Sequence, residues 1–107
     1  MTGTDLRPLL REAGAQPGER ATLLQFSTAF CAPCRATRTV LADVARRSPG
    51  VVHVELDAEA HLDLVRRLGV TGTPTTLVVD AEGREVVRAA GRPGRAQVLG
   101  QLGALPG

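Results

Sequence analysis

The stretch from Ala21 to Asp57 constrains this chain more than any other. Ala21 to Thr28 (ATLLQFST) is a short, largely apolar run that reads as a buried strand. Arg35 to Arg47 then places apolar or small residues at Val40, Leu41, Val44 and Ala45, the spacing of an amphipathic helix. Ser48-Pro49-Gly50 stops that helix, and Val51 to Asp57 (VVHVELD) reads as a second strand. Strand, helix and strand in that order imply a parallel pair joined by a right-handed crossover.

The flanking segments complete the pattern. Thr4 is a candidate N-cap for a first helix that carries Leu6, Leu9 and Leu10, provided Pro8 lies in its first turn. Gly14 to Glu19 reads as a loop. Ala58 to Leu68 predicts a helix with Leu62, Val65 and Leu68 on one face and Gly69 as its stop. Thr75 to Asp80 predicts a third strand, Glu82-Gly83 a turn, and Glu85 to Ala90 a fourth strand closing a hairpin. Arg95 to Leu105 predicts a last helix with Val98, Leu99 and Leu102 inward. The order α-β-α-β-α-β-β-α predicts an α/β fold, a central mixed sheet of about four strands with helices on both faces.

Composition narrows the functional classes. At 107 residues the chain has room for a single domain, taken here as 1–107. With 43% hydrophobic and 22% charged residues it has the make-up of a globular protein, not a disordered one. No apolar run approaches the roughly 18 residues that span a bilayer, and no signal peptide is expected in the first 20 residues. The net charge of +2 is too small and too interspersed to argue for nucleic acid. With no Trp or Tyr, the core must be built from Leu and Val, with Phe26 and Phe30 as the aromatic residues.

The two cysteines carry the chemistry. Cys31 and Cys34 stand in Phe30-Cys31-Ala32-Pro33-Cys34, directly after the first strand and at the start of the next helix. A disulfide across so short a loop stabilises by only about 2 kcal/mol in the chain-entropy estimate, so it is a poor staple. Two thiols three apart make better sense as a bond that opens and closes. At the helix N-terminus, unpaired N–H groups and the dipole lower a thiol pKa from its usual value of about 8.5. Cys31 is therefore the expected attacking thiolate, and Cys34, one turn on and within disulfide reach, the more buried resolving thiol. Pro33 falls in the first turn, where its missing N–H costs little. Zinc is the competing use of such a pair. Eighteen residues separate Cys34 from His53 and seven separate His53 from His61, outside structural-zinc spacing, so no metal is expected.

Three separated segments resemble the thioredoxin family: Phe26 to Cys34 (FSTAFCAPC), Leu68 to Thr75 (LGVTGTPT) and Asp80 to Gly91 (DAEGREVVRAAG). The resemblance covers roughly residues 20 to 105. It implies a thioredoxin-like fold lacking the family's usual first strand, and a cis Thr73-Pro74 bond beside the dithiol. It also implies that Thr73 offers its backbone to an extended substrate. Phe30 and Val70 would supply apolar rims, Ala32 and Pro33 would face the substrate, and Gly91 would approach the site, a plain strand-end turn being the other reading of that glycine.

The departures are informative. Phe30 stands where the family commonly has Trp, and Ala32-Pro33 where it commonly has Gly-Pro. Neither residue between the cysteines is a cation, which leans toward the reducing end of the potential range. Six residues before the first cysteine, where the family often has a buried Asp, stands Gln25, which cannot be a base. His53 occupies a neighbouring strand position that is often Lys, and strand alternation allows it to share a sheet face with Gln25. One expectation is that His53, held by Gln25, supplies the missing proton transfer; the other is a plain hydrogen-bonded strand residue.

The resemblance thus implies a dithiol–disulfide oxidoreductase that reduces protein disulfides in the cytoplasm. It needs no bound cofactor, since the dithiol is the redox group. It would act as a monomer, regenerated by an NADPH-linked flavoprotein reductase. Two alternatives remain open. One is an extracytoplasmic reductase or isomerase served by a membrane electron carrier, with the short Met1-Thr2-Gly3 start marking a removed anchor. The other is a non-catalytic metal- or protein-binding module.

Overall fold

A computed structural model describes residues 4–106; the Met1-Thr2-Gly3 start lies outside the described residues. The elements in chain order are α1 (Arg7–Glu12), β1 (Ala21–Ser27), α2 (Ala32–Arg47), β2 (Val51–Asp57), α3 (Leu62–Leu68), β3 (Thr75–Asp80), β4 (Glu85–Ala90) and α4 (Arg95–Gly103). The strands form one mixed sheet in the order β2-β1-β3-β4. β1 runs parallel to β2 and antiparallel to β3, and β3 pairs antiparallel with β4. The expected crossover and closing hairpin are both present.

β1 is the interior strand between β2 and β3, and all seven of its residues are buried. Its alternate side chains feed two cores. Leu24 and Phe26 join Leu56, Leu77 and Val79 beneath Leu6 and Leu10 at α1 and Leu64 of α3. Ala21 and Leu23 join Val51 and Val78 beneath Leu41 and Val44 of α2 and Val98 and Leu102 of α4. Helices therefore cover both faces, as the order of elements predicts.

The helices depart from expectation in detail. Leu6, not Thr4, is the residue before α1, and no side chain caps that helix. Pro8 lies in its first turn, where it displaces no helical hydrogen bond. α3 begins at Leu62, four residues later than predicted, because Ala58–Ala60 forms a turn. The shift rotates the inward face: Leu64 is buried, whereas Leu62 is 51% exposed. α4 ends at Gly103, with Val98 and Leu102 inward and Leu99 47% exposed. Gly69 ends α3 in the left-handed conformation (φ 66°), as its position predicts.

Candidate active site

The site lies where β1 hands the chain to α2. Ser27 ends the strand, Phe30 adopts a left-handed φ of 58°, and Cys31 is the N-cap of α2 in an extended conformation. The Cys31 sulfur accepts the Cys34 N–H at 3.2 Å, in the way a capping oxygen does. Cys31 and Cys34 are joined as a disulfide with Cα atoms 5.2 Å apart. Cys31 is half-buried, whereas Cys34 is buried on the inner face of α2. The two sulfurs thus stand in unequal positions, one reachable from solvent and one not.

Ala32 and Pro33 are exposed around the pair, and Phe30 beside them is fully exposed at 102%. The Thr73-Pro74 peptide bond is cis. Thr73 brings its hydroxyl to 3.0 Å from that of Thr28, three residues before Cys31. The carbonyl of Pro74 accepts the N–H of Gly91 at 2.9 Å, and Gly91 itself needs its left-handed φ of 80° to make the turn. Val70 corrects an expectation. It is only 9% exposed and packs with Leu56 and Leu64 in the core, because the tight stop at Gly69 turns it inward. Its side chain cannot serve as an apolar rim.

Beneath the dithiol the core is polar. Gln25 is fully buried. Its Nε2 donates to the Cys34 carbonyl at 2.8 Å and to the Ser27 hydroxyl at 2.9 Å. A carbonyl can be served only by a donor, so the amide nitrogen must face Cys34. The amide oxygen then faces His53, whose Nε2 lies 2.8 Å away and must carry a hydrogen to donate. The predicted pairing of Gln25 with His53 is present, through diagonal positions on adjacent strands. Along this chain of bonds His53 meets an amide that passes no proton, and the chain ends on a carbonyl of Cys34, not on its sulfur. Burial holds the His53 imidazole below its usual pKa of 6.5, against the opposing pull of Glu55.

The sequence reasoning missed the remaining members. Ser27 donates to Glu55 Oε2 at 2.7 Å, and Arg38 of α2 grips Glu55 at 2.5 and 3.0 Å. Partial burial opposes the charge of Glu55, yet Arg38 and Ser27 outweigh it and hold the carboxyl below its usual value. Glu55 lies opposite Gln25 in the β1–β2 register and two residues after His53. Strand alternation was the signal that could have found it. The hydroxyls of Thr37 and Thr76 are buried without partners, Thr76 opposite Gln25 on β3. Among the described residues no cluster of His, Cys, Asp and Glu could hold a metal ion. Among those residues, too, no helix is long and apolar enough to cross a membrane.

A Cys-x-x-Cys disulfide at a helix start, a cis-proline loop and a four-stranded mixed sheet together define a recognisable class. The sequence profile of the thioredoxin-like domain matches residues 10–105, and the chain belongs to that family. It is similar to an H-type thioredoxin of rice, 29% identical over 77 residues that cover 70% of this chain and 63% of that protein. A thioredoxin of Mycobacterium tuberculosis is 29% identical over 84 residues, 78% of this chain and 72% of that one. The chain spans less than two thirds of its plant relatives, 63% of the rice protein and 57% of an H-type thioredoxin of tobacco. Among solved structures, a thioredoxin variant from Halobacterium salinarum superposes with a TM-score of 0.76 at 18% identity, covering 98% of this chain and 87% of that one. The thioredoxin of Fasciola hepatica gives 0.73 at 22% identity, covering 94% and 91%. At such identities these structures share the fold.

Proposed function

We propose that the chain is a thiol–disulfide oxidoreductase that reduces protein disulfides through Cys31 and Cys34. The observation that carries this reading is the asymmetry of the pair: a reachable Cys31 capping α2, bonded to a buried Cys34 one turn later. In the reduced protein the Cys31 thiolate attacks one sulfur of a substrate disulfide. That S–S bond breaks, and the first substrate thiolate leaves with its electron pair. Cys34 then loses its proton to solvent and attacks Cys31. The second substrate thiolate leaves, and the Cys31–Cys34 disulfide remains. Two electrons pass from the dithiol to the substrate, so the dithiol is the whole redox group and no bound cofactor is required.

Phe30, Ala32, Pro33, Thr73, Pro74 and Gly91 form the docking surface in this reading. The open Thr73 backbone pairs with an extended substrate segment, and Phe30 presses on its side chains. His53 holds Gln25 and moves no proton itself. The working compartment is the cytoplasm, and an NADPH-linked flavoprotein restores the dithiol.

Titration against glutathione tests the reading. A reversible two-electron couple of low potential is expected in the wild type. Cys34→Ser should accumulate mixed disulfides with protein substrates, and Cys31→Ser should form none. A potential near that of strong oxidants would favour an extracytoplasmic oxidant or isomerase, and a chain with no reversible couple is not an oxidoreductase.

A further inference from the structure

The polar cluster under α2 does more than fill space. Every link in it has a direction forced by chemistry. A carboxylate can only accept, so Ser27 must spend its single hydrogen on Glu55. The Ser27 oxygen is then left as an acceptor, and only the nitrogen of the Gln25 amide can face it. With the nitrogen on that side, its second hydrogen reaches the Cys34 carbonyl, and the oxygen receives the His53 N–H. Arg38 closes the circuit. It holds Glu55 charged, and it stands on α2 one turn beyond Cys34.

We propose that Glu55 is a positioning residue for the resolving cysteine, acting through the Ser27 hydroxyl and the Gln25 amide to clamp the Cys34 backbone onto β1. Without the carboxylate, Ser27 is free to donate to the amide oxygen. The amide can then turn over for the loss of one bond, His53 can meet it in its other tautomer, and the Cys34 carbonyl keeps its place in the helix but loses its side-chain donor. The Cys34 carbonyl already favours the nitrogen; the carboxylate adds to that preference by holding Ser27 as an acceptor, although it touches neither sulfur.

The consequence falls on one chemical step, given the oxidoreductase reading on which this inference rests. After the first attack, Cys31 is bonded to substrate and Cys34 is a free thiol. Cys34 gives its proton to water, its sulfur bonds to Cys31, and the Cys31–substrate bond breaks with the electron pair leaving on the substrate thiolate. That step owes its speed to a neighbour already in place. The clamp fixes Cys34 through its backbone, whether or not its sulfur is bonded. Cys31, which makes the first attack, is not held by this circuit.

The test uses the full chain, reduced, with a small chromogenic aromatic disulfide, which releases one thiolate in each step. Glu55→Ala should slow the second release on the order of fivefold, the worth of one hydrogen bond, and leave the first unchanged. Ser27→Ala should reproduce this, and Ser27→Thr, which keeps the hydroxyl, should behave as wild type. In a Gln25→Leu background, Glu55→Ala should add no further slowing, because the carboxylate then has no amide to orient. Should Gln25→Leu fail to fold, the same comparison is made in Ser27→Ala. Equal slowing of both releases, an unmoved second release, or full persistence of the Glu55→Ala effect in either background would overturn the proposal. The wild-type glutathione couple is measured alongside. Its absence defeats the oxidoreductase reading, whereas an intact couple with an unmoved second release defeats the role of Glu55 alone.

Discussion

Phe30 is the residue whose placement stability does not explain. Its side chain is fully exposed at 102%, and its φ of 58° lies where a bulky side chain is strained. Such a conformation costs about 1–2 kcal/mol, with no burial to offset it. An aromatic ring held in solvent beside Cys31 is placed for contact with something else. Phe30→Ala should therefore leave the free energy of unfolding within about 0.5 kcal/mol of wild type. It should lower kcat/KM for a protein disulfide roughly two- to tenfold, the worth of one aromatic contact. Reduction of a small aliphatic disulfide measured in parallel should not change; an equal loss there would mean that Phe30 acts on the sulfurs and not on docking. The neighbouring residues show how far a site can be read from sequence. Cys31 and Cys34 are legible because their chemistry is local, three residues wide; the cis Thr73-Pro74 bond followed from the family resemblance alone, since an X-Pro bond read by itself is expected trans. Ser27 and Glu55 meet across 28 residues, and their hydrogen bond exists only through the β1–β2 register. Val70 was ambiguous for another reason: an apolar residue after a helix stop can face the core or the site, and hydrophobicity alone does not choose.

At the scale of elements, strands were legible and helix faces less so. The run 51–57 and the hairpin strands 75–80 and 85–90 match their predicted limits, since short apolar runs between Gly, Pro and Asp leave little freedom. α3 slipped because Asp57 forms a turn of its own. Its Oδ1 accepts the Glu59 N–H, while Ala58 donates to the carbonyl of Ser27 and ties the turn to the sheet. Tertiary anchoring of that kind outweighs the helix propensity of Ala58–Ala60, and Leu64 replaces Leu62 on the buried side. The approach to α1 depends on a contact still more distant in sequence. Gly83, in the β3–β4 turn with φ 84°, accepts the Leu6 N–H at 2.8 Å. A Cβ added there would come 2.0 Å from Asp5 Oδ1 and 2.9 Å from Arg7 Cγ. Gly83→Ala should push the segment before α1 off the turn and loosen Leu6 and Leu10 from their core. A loss of about 1–3 kcal/mol in urea unfolding is expected, from left-handed strain and displaced packing together. Amide exchange should show the Leu6 N–H losing its protection first; unchanged protection there would separate the strain from the displacement.

For the molecule as a whole, the same polar layer that serves the site sets how stability follows pH. Burial makes the folded state resist protonation of His53, so its pKa lies below the usual 6.5. As pH falls through about 6.5 the unfolded chain binds that proton first, and proton uptake favours unfolding. Glu55 is held below its usual 4.5, where Arg38 and Ser27 prevail over burial, and Asp43 below 3.8, chiefly by its hydrogen bond from Arg47. For these carboxylates too the unfolded chain takes up protons first, now in the window below about 4.5. Both windows act in one direction. Stability should be greatest above about pH 7, fall once as His53 is driven toward its charge, and fall again as the ion pairs are lost. Urea midpoints of the oxidised protein across that range would show the two stages, and NMR titration of the His53 ring would locate the first. His53→Gln offers the Gln25 oxygen an amide donor but cannot titrate. It should erase the upper stage and leave the lower one in place. A His53 pKa above 6.5 in the folded protein would reverse the sign of the upper stage, and acidification from neutral pH would then stabilise the fold. That result would place a negative charge closer to the ring than Glu55 stands, and would make His53 a counter-ion where this geometry makes it a neutral donor to Gln25.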